Sequence, residues 1–277
     1  MDASTLFQKI KEKESFLCIG LDTDHHRIPE HLQYMEDPVF AFNRKIIEAT
    51  HKYTVAYKPN LAFYEALGSF GWKALEKTIA FIRQTDPSLM VIADAKRGDI
   101  GNTSKMYART FFDHLGCDAV TLSPYMGRDT VMPFLEYEDK WVILLALTSN
   151  TSAEDFQFFR NEVQGLALYE KVLLEASKWD HADRIMFVVG ATKAERFAAV
   201  REIVPDHFLL VPGVGAQGGS LSAVARYGMN NRCGLLVNSS RGIIFASDGE
   251  DFASAAAAKA RQLRDEMALL LKTRGLI

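Results

Sequence analysis

The chain reads as an α/β protein folded as a single (β/α)8 TIM barrel, on three observations. Eight short apolar runs recur along it, each is followed by a stretch able to form a crossover helix, and no Gly-, Pro- or Ser-rich linker divides it. The expected strands are Phe16 to Leu21, Thr54 to Tyr57, Leu89 to Ala93, Ala119 to Leu122, Trp141 to Leu147, Ile185 to Val189, Phe208 to Val211 and Gly234 to Val237. Most lack polar alternation, as parallel strands covered on both faces do. Crossover helices are expected at Pro38 to Lys52, Gly71 to Gln84, Ser104 to Leu115, Leu166 to Trp179, Lys193 to Ile203 and the Ala-rich Asp251 to Lys272. An open doubly wound sheet is the competing architecture, but the first strand-to-helix turn, GLDTDHH, lacks the GxGxxG fingerprint. Residues 1–277 are therefore read as one barrel domain, a size that such barrels commonly reach.

Composition narrows the function. With 48% hydrophobic and 24% charged residues the chain has the make-up of an ordinary globular protein, and a formal charge of -3 gives no basic footprint for nucleic acid. The opening MDASTLFQKIKEKE is too charged for a signal peptide, and no apolar run approaches the roughly 18 residues that span a bilayer. A cytoplasmic enzyme without membrane contact is expected. Cys18, Cys117 and Cys233 are odd in number, far apart and set in apolar stretches, so they read as buried free thiols. The seven His residues form no HxH or HExxH pattern, and no metal site is expected.

In a barrel, polar residues at the C-terminal strand ends carry function, because the interior is otherwise packed with apolar side chains. Here the first strand runs out at Asp22, the second at Lys58, the third into DAKRGDI, the fifth into LALTSN, the seventh into VPGVGAQGG and the eighth into VNSSRG. Strand alternation puts Asp94 and Lys96 on one face, with Asp99 just beyond in the loop. With Lys58 from the neighbouring strand they form an alternating Lys/Asp cluster whose members keep one another ionised. A salt-bridged plug closing the barrel top is the structural alternative, and Asp94 with Asp99 holding Mg²⁺ is a third, disfavoured by the two lysines.

A phosphate site is legible separately. Barrels bind phosphate with the loops after strands seven and eight, where glycines let backbone N–H groups approach the anion and a helix start adds its dipole. Pro212 to Gly219 supplies that loop with Gln217 as a side-chain donor, and Asn238, Ser239, Ser240 and Arg241 follow strand eight, Arg241 being suited to bidentate phosphate contact. The irregular Ser149 to Gln164 segment follows strand five and is expected above the mouth, as a cap or as a mere insertion.

GLDTD, YKPN, DAKRGDIGNTS, LALTSN, PGVGAQGG and SSRG, in that order over nearly the whole chain, resemble the orotidine 5′-monophosphate decarboxylases, in particular the bacterial group with the DAKRGDI motif. The resemblance implies cofactor-independent decarboxylation of orotidine 5′-monophosphate to UMP and CO2, the last step of UMP biosynthesis. It implies that Asp22 and Lys58 hold the ribose hydroxyls, that Asp94 faces the substrate carboxylate and that Lys96 protonates C6. Asp99 and Thr103 would reach into the neighbouring site of a homodimer, with Ile100 between them in the substrate-binding set. Ser149 would read the pyrimidine edge, with the adjacent Thr148 as the alternative, Pro212 would line the base, and Gln217, Ser240 and Arg241 would serve the phosphate end. Two competitors are kept: a Mg²⁺-dependent sugar-phosphate decarboxylase or aldolase on a related barrel, which should carry a carboxylate ligand near the end of strand two, and a noncatalytic phosphate-sensing barrel.

Overall fold

The computed structural model describes residues 1–163, 165–215 and 218–277. Eight parallel strands, β1 (Leu17–Leu21), β2 (Ala56–Pro59), β3 (Met90–Arg97), β4 (Ala119–Leu122), β5 (Trp141–Leu147), β6 (Ile185–Val189), β7 (Leu209–Pro212) and β8 (Leu235–Ser239), close into a barrel in chain order. Closure is made by β8 on β1, with Leu17 opposite Val237 and Ile19 opposite Ser239. The continuous apolar runs form these strands because the barrel interior and the helical ring bury both faces; every residue of β1, β2, β4 and β6 is buried.

Three predicted strands keep their bounds: β4, β5 and β6. β3 differs most, running on to Arg97 through three charged residues. The Arg97 guanidinium ties that end down, pairing with Glu65, donating to the Ala95 carbonyl at 3.1 Å and lying over the Tyr107 ring. Expected helices appear as Pro38–Thr50, Gly68–Thr85, Gly101–Arg109 continued by a π-type turn, Leu168–Ala176, Phe197–Ile203 and Phe252–Thr273. Asp37 caps the first of these by accepting from the Phe40 N–H, with Pro38 at the first helical position.

Helices Arg128–Leu135 and Leu221–Gly228 add to the ring, and Ala3–Lys13 precedes β1. Ala3–Lys13 buries Leu6 and Ile10 and is capped by Asp2, whose carboxylate accepts from the Thr5 N–H. Trp141 at the start of β5 donates to the Met1 carbonyl at 2.7 Å, fixing this helix at the N-terminal end of the barrel. Cys18, Cys117 and Cys233 are free and buried, and burial pushes each thiol up to about 12. Among the described residues no helix is long and apolar enough to cross a membrane.

Candidate active site

The C-terminal strand ends converge on a cavity of about 140 Å³ lined by Asp22, Lys58, Asp94, Pro212, Gly213, Val214, Asn238, Ser239, Ser240 and Arg241. Five strands, β1, β2, β3, β7 and β8, thus supply it from their ends or the residues just after them, which is where barrel active sites form. Lys58 and Asp94 of the Lys/Asp cluster and the loops expected to take phosphate share this one space.

Asp94 is the centre of the charged cluster. Its Oδ2 accepts from Lys58 Nζ at 2.6 Å and its Oδ1 from Lys96 Nζ at 2.6 Å, with Thr121 Oγ1 donating to Oδ1 at 3.0 Å. Burial works against the charge of this carboxylate, but the Lys58 and then the Lys96 ammonium outweigh it and hold Asp94 well below the usual carboxylate range. Burial also opposes the charge of Lys58, and Asp94 followed by Asp22 reverses that effect, raising its pKa. Lys58 is only 4% exposed, whereas the Lys96 side chain is 49% exposed.

Asp22 lies on the other side of Lys58, with Oδ1 at 4.0 Å from its Nζ. That oxygen is buried and accepts no hydrogen bond among the described residues. The turn carrying it is fixed by its neighbour: Thr23 donates to Asn43 at 2.6 Å, Asn43 donates to Tyr64 at 2.9 Å and Thr78 at 3.1 Å, and Tyr64 donates to the Leu21 carbonyl. Such a satisfied buried network leaves the end of β1 little freedom.

The expected Lys58, Asp94, Lys96, Asp99 set is only partly assembled within one chain. Asp99 forms no ion pair among the described residues; its side chain accepts from the Ile100 N–H at 2.8 Å and its carbonyl from Ser104. The strand stops at Arg97, and the next residues turn into the helix Gly101–Arg109. Asp99 is therefore directed along the exposed first turn with Ile100, 58% exposed, and Thr103. Asp22 is the second carboxylate beside Lys58 instead.

At the other end of the cavity, the loop after β7 turns on Gly213 and Gly215, both with positive φ, and closes on itself through Gly219 N–H to the Gly213 carbonyl at 3.1 Å. A Cβ on Gly219 would lie 2.7 Å from that carbonyl, so the turn requires glycine. Gln217 lies outside the described residues. Ser240 donates its hydroxyl to the Gly20 carbonyl at 3.0 Å, which binds the end of β8 to β1. Gly20 makes room for it, since a Cβ there would stand 2.7 Å from the Ser240 Cβ. Arg241 follows, exposed and without an ion pair among the described residues.

At the end of β5, Thr148 uses its hydroxyl locally, donating to Asn150 at 2.6 Å and accepting from Gln157 at 2.7 Å. Ser149 packs against Gly190 so closely that a Cβ on Gly190 would lie 2.8 Å from the Ser149 nitrogen. Gln157 also accepts from the Thr148 N–H, so the segment from 149 to 163 is tied to the barrel, with Phe158 against Tyr169. None of its described residues lines the cavity; Gln164 lies outside the described residues.

Sequence reasoning passed over Thr121 and gave Asn238 no specific role. Thr121 was detectable as the polar residue in the buried run AVTL, and Asn238 as a buried amide within β8 rather than beyond it. Among the described residues no group of three or more His, Cys, Asp or Glu side chains could hold a metal ion.

Residues 15–256 match the family described as "Orotidine 5'-phosphate decarboxylase / HUMPS family". The chain belongs to this family. An orotidine 5'-phosphate decarboxylase from Bacteroides fragilis is 57% identical over 272 residues, covering 98% of this chain and 99% of the relative. The structure of an OMP decarboxylase from Leishmania donovani resembles this decarboxylase-family barrel with a TM-score of 0.79 and 35% identity, covering 96% of this chain and 99% of that one. A UMP synthase structure from the same organism aligns with a TM-score of 0.80 and 37% identity over 95% of this chain, which spans 57% of that longer protein.

Proposed function

We propose that this chain decarboxylates orotidine 5′-monophosphate to UMP and CO2, the last step of UMP formation, without metal or organic cofactor. The whole chain acts as one catalytic barrel domain, in the cytoplasm and as a homodimer. The observation that carries the reading is the single cavity in which Lys58 and Asp94, the latter also paired with Lys96, share walls with the glycine-turned loop after β7 and with Arg241.

Loss of CO2 from C6 of orotate leaves an electron pair in an sp² orbital with no adjacent π acceptor. The barrier must fall through electrostatics and prompt protonation. When the C6–carboxylate bond breaks, its pair stays on C6 and takes a proton from Lys96 Nζ, which is then reprotonated from solvent. Asp94, facing the carboxylate, accepts from the Lys96 ammonium and keeps it aimed. The exposure of Lys96 suits a group that must reach substrate above the mouth. Lys58 neutralises Asp94 from the buried side and, with Asp22, whose Oδ1 accepts no hydrogen bond among the described residues, takes the ribose hydroxyls.

Arg241 and Gln217, with the Ser240 turn, hold the phosphate; Pro212 lines the base and Ser149 reads its edge. Half-buried Asp99 with exposed Ile100 and Thr103, all absent from their own chain's cavity lining, complete the partner subunit's site. The Mg²⁺-dependent rival is disfavoured by the donor set: both oxygens of Asp94 already face ammonium groups, and the end of β2 offers Lys58 where that chemistry needs a carboxylate. The test is loss of orotate absorbance on mixing purified protein with orotidine 5′-monophosphate, with and without EDTA. Turnover indifferent to EDTA supports the reading; turnover abolished by EDTA and restored by Mg²⁺ overturns the metal-free mechanism, and UMP binding without turnover favours a phosphate-sensing barrel.

A further inference from the structure

We infer that Thr121 is a positioning residue for the proton donor, its hydroxyl joining the Asp94 carboxylate to the backbone of Lys96. The inference rests on the decarboxylase reading of the Lys/Asp cluster. Thr121 lies in β4, 1% exposed, on a strand to which none of the sequence motifs belongs.

The reason lies in how β3 meets β4. The ladder pairs Ala93 with Val120 and then Arg97 with Leu122, so Asp94, Ala95 and Lys96 together oppose Thr121 alone. Such a bulge leaves backbone groups without their regular partners and re-aims side chains. Lys96 sits in this bulge with φ +49, a left-handed conformation that disfavours any residue with a Cβ. Its N–H, deprived of an ordinary ladder carbonyl, donates to Thr121 Oγ1 at 2.9 Å. The same oxygen spends its single proton on Asp94 Oδ1 at 3.0 Å, the carboxylate oxygen that also receives the Lys96 ammonium at 2.6 Å.

One hydroxyl therefore fixes both ends of the Lys96 side chain: the backbone from which it departs and the carboxylate at which it arrives. Lys58 needs no such device, because burial confines it. Half-exposed Lys96 has no comparable packing, and its aim depends on these two anchors. Small displacements of a reacting group are costly to rate even when binding is untouched. Among the described residues Thr121 makes no hydrogen bond to Ser240 or Arg241, so its loss should be felt in kcat.

The experiment compares wild type, Thr121→Val and Thr121→Ser for kcat and KM with orotidine 5′-monophosphate and for UMP affinity. Valine keeps the branched shape in a buried strand while removing the hydroxyl; serine keeps the hydroxyl. The expected result is a loss of about ten- to a hundredfold in kcat for Thr121→Val with KM and UMP affinity unchanged, and recovery of most of that loss in Thr121→Ser. Should the valine variant fail to fold, Thr121→Cys, of similar size and a weak acceptor, is measured instead with the same loss expected. Wild-type kcat in the variant lacking the hydroxyl, an equal loss of UMP affinity, or a serine variant no better than valine would each overturn the assignment to Thr121. If the wild-type protein itself fails to turn over orotidine 5′-monophosphate, the underlying decarboxylase reading falls; turnover by wild type together with an unaffected valine variant removes Thr121 alone.

Discussion

Lys96 and Asp94 meet at 2.6 Å, ammonium to carboxylate, although they are separated by a single residue on a strand that departs from regular pairing between them. The contact arises from the left-handed turn at Lys96 as much as from strand alternation. With Lys58 on the other oxygen, Asp94 compensates one buried and one half-exposed cation at once. The consequences extend to stability as well as to chemistry.

Asp94→Asn should lower the unfolding free energy at neutral pH by about 3 kcal/mol, because it leaves Lys58 buried with its principal counter-charge removed. The pH dependence has a definite sign. The folded-state pKa of Asp94 is depressed, so its contribution is complete above the unfolded value near ~3.9 and is lost as pH falls from there through the folded pKa. The gap between wild type and Asp94→Asn should therefore narrow in urea titrations run from about pH 6 down to pH 2. A gap that stays constant over that range would contradict the pairing. Lys58, with a raised pKa, behaves conversely: its contribution is present below ~10.4 and is lost as pH rises through the folded value.

Arg241→Ala should lower kcat/KM severely for the phosphorylated substrate and scarcely affect the poor reaction of orotidine, which lacks the phosphate. If Arg241 contacts only phosphate, removing both partners costs little more than removing one. Additive losses from the two truncations would show that Arg241 acts elsewhere.

Much of this was readable from residues alone, and the gaps have physical causes. The apolar runs located all eight strands because a two-sided environment leaves only such residues. β3 outran its prediction at Ala93 because its last residues are charged and held by pairing, which hydropathy cannot register. The helix Ala3–Lys13 lay in a stretch judged only for its charge, although Leu6 and Ile10 share a helical face. Arg128–Leu135 is short and contains Pro133, which blurs its pattern. Asp94, Lys96, Lys58 and Arg241 stood out because charge at a barrel strand end is unusual. Thr121 did not, since a threonine inside an apolar strand gains significance only once the bulge opposite it is known.

The proposed homodimer makes a demand that a monomeric site does not. Lys96→Ala and Asp99→Ala proteins should each be nearly inactive, yet a heterodimer of the two has one site with both residues intact, if Asp99 serves the partner subunit. With random pairing, half the dimers are mixed and one site in each is whole, so co-expression should return about a quarter of wild-type activity. Purifying the mixed dimer through two different tags isolates the effect. A heterodimer as inactive as its parents would place Asp99 outside a shared site.

The central claim is that Lys96 supplies both the charge that stabilises the carbanion and the proton that quenches it. The direct measurement is kcat of Lys96→Ala with orotidine 5′-monophosphate, taken on protein shown to be folded and to bind UMP. Turnover should be nearly abolished with UMP binding retained, since phosphate, ribose and base are assigned to other residues. Turnover above about a hundredth of the wild-type kcat would be too much for a protein stripped of its proton donor, and would assign the proton to another group.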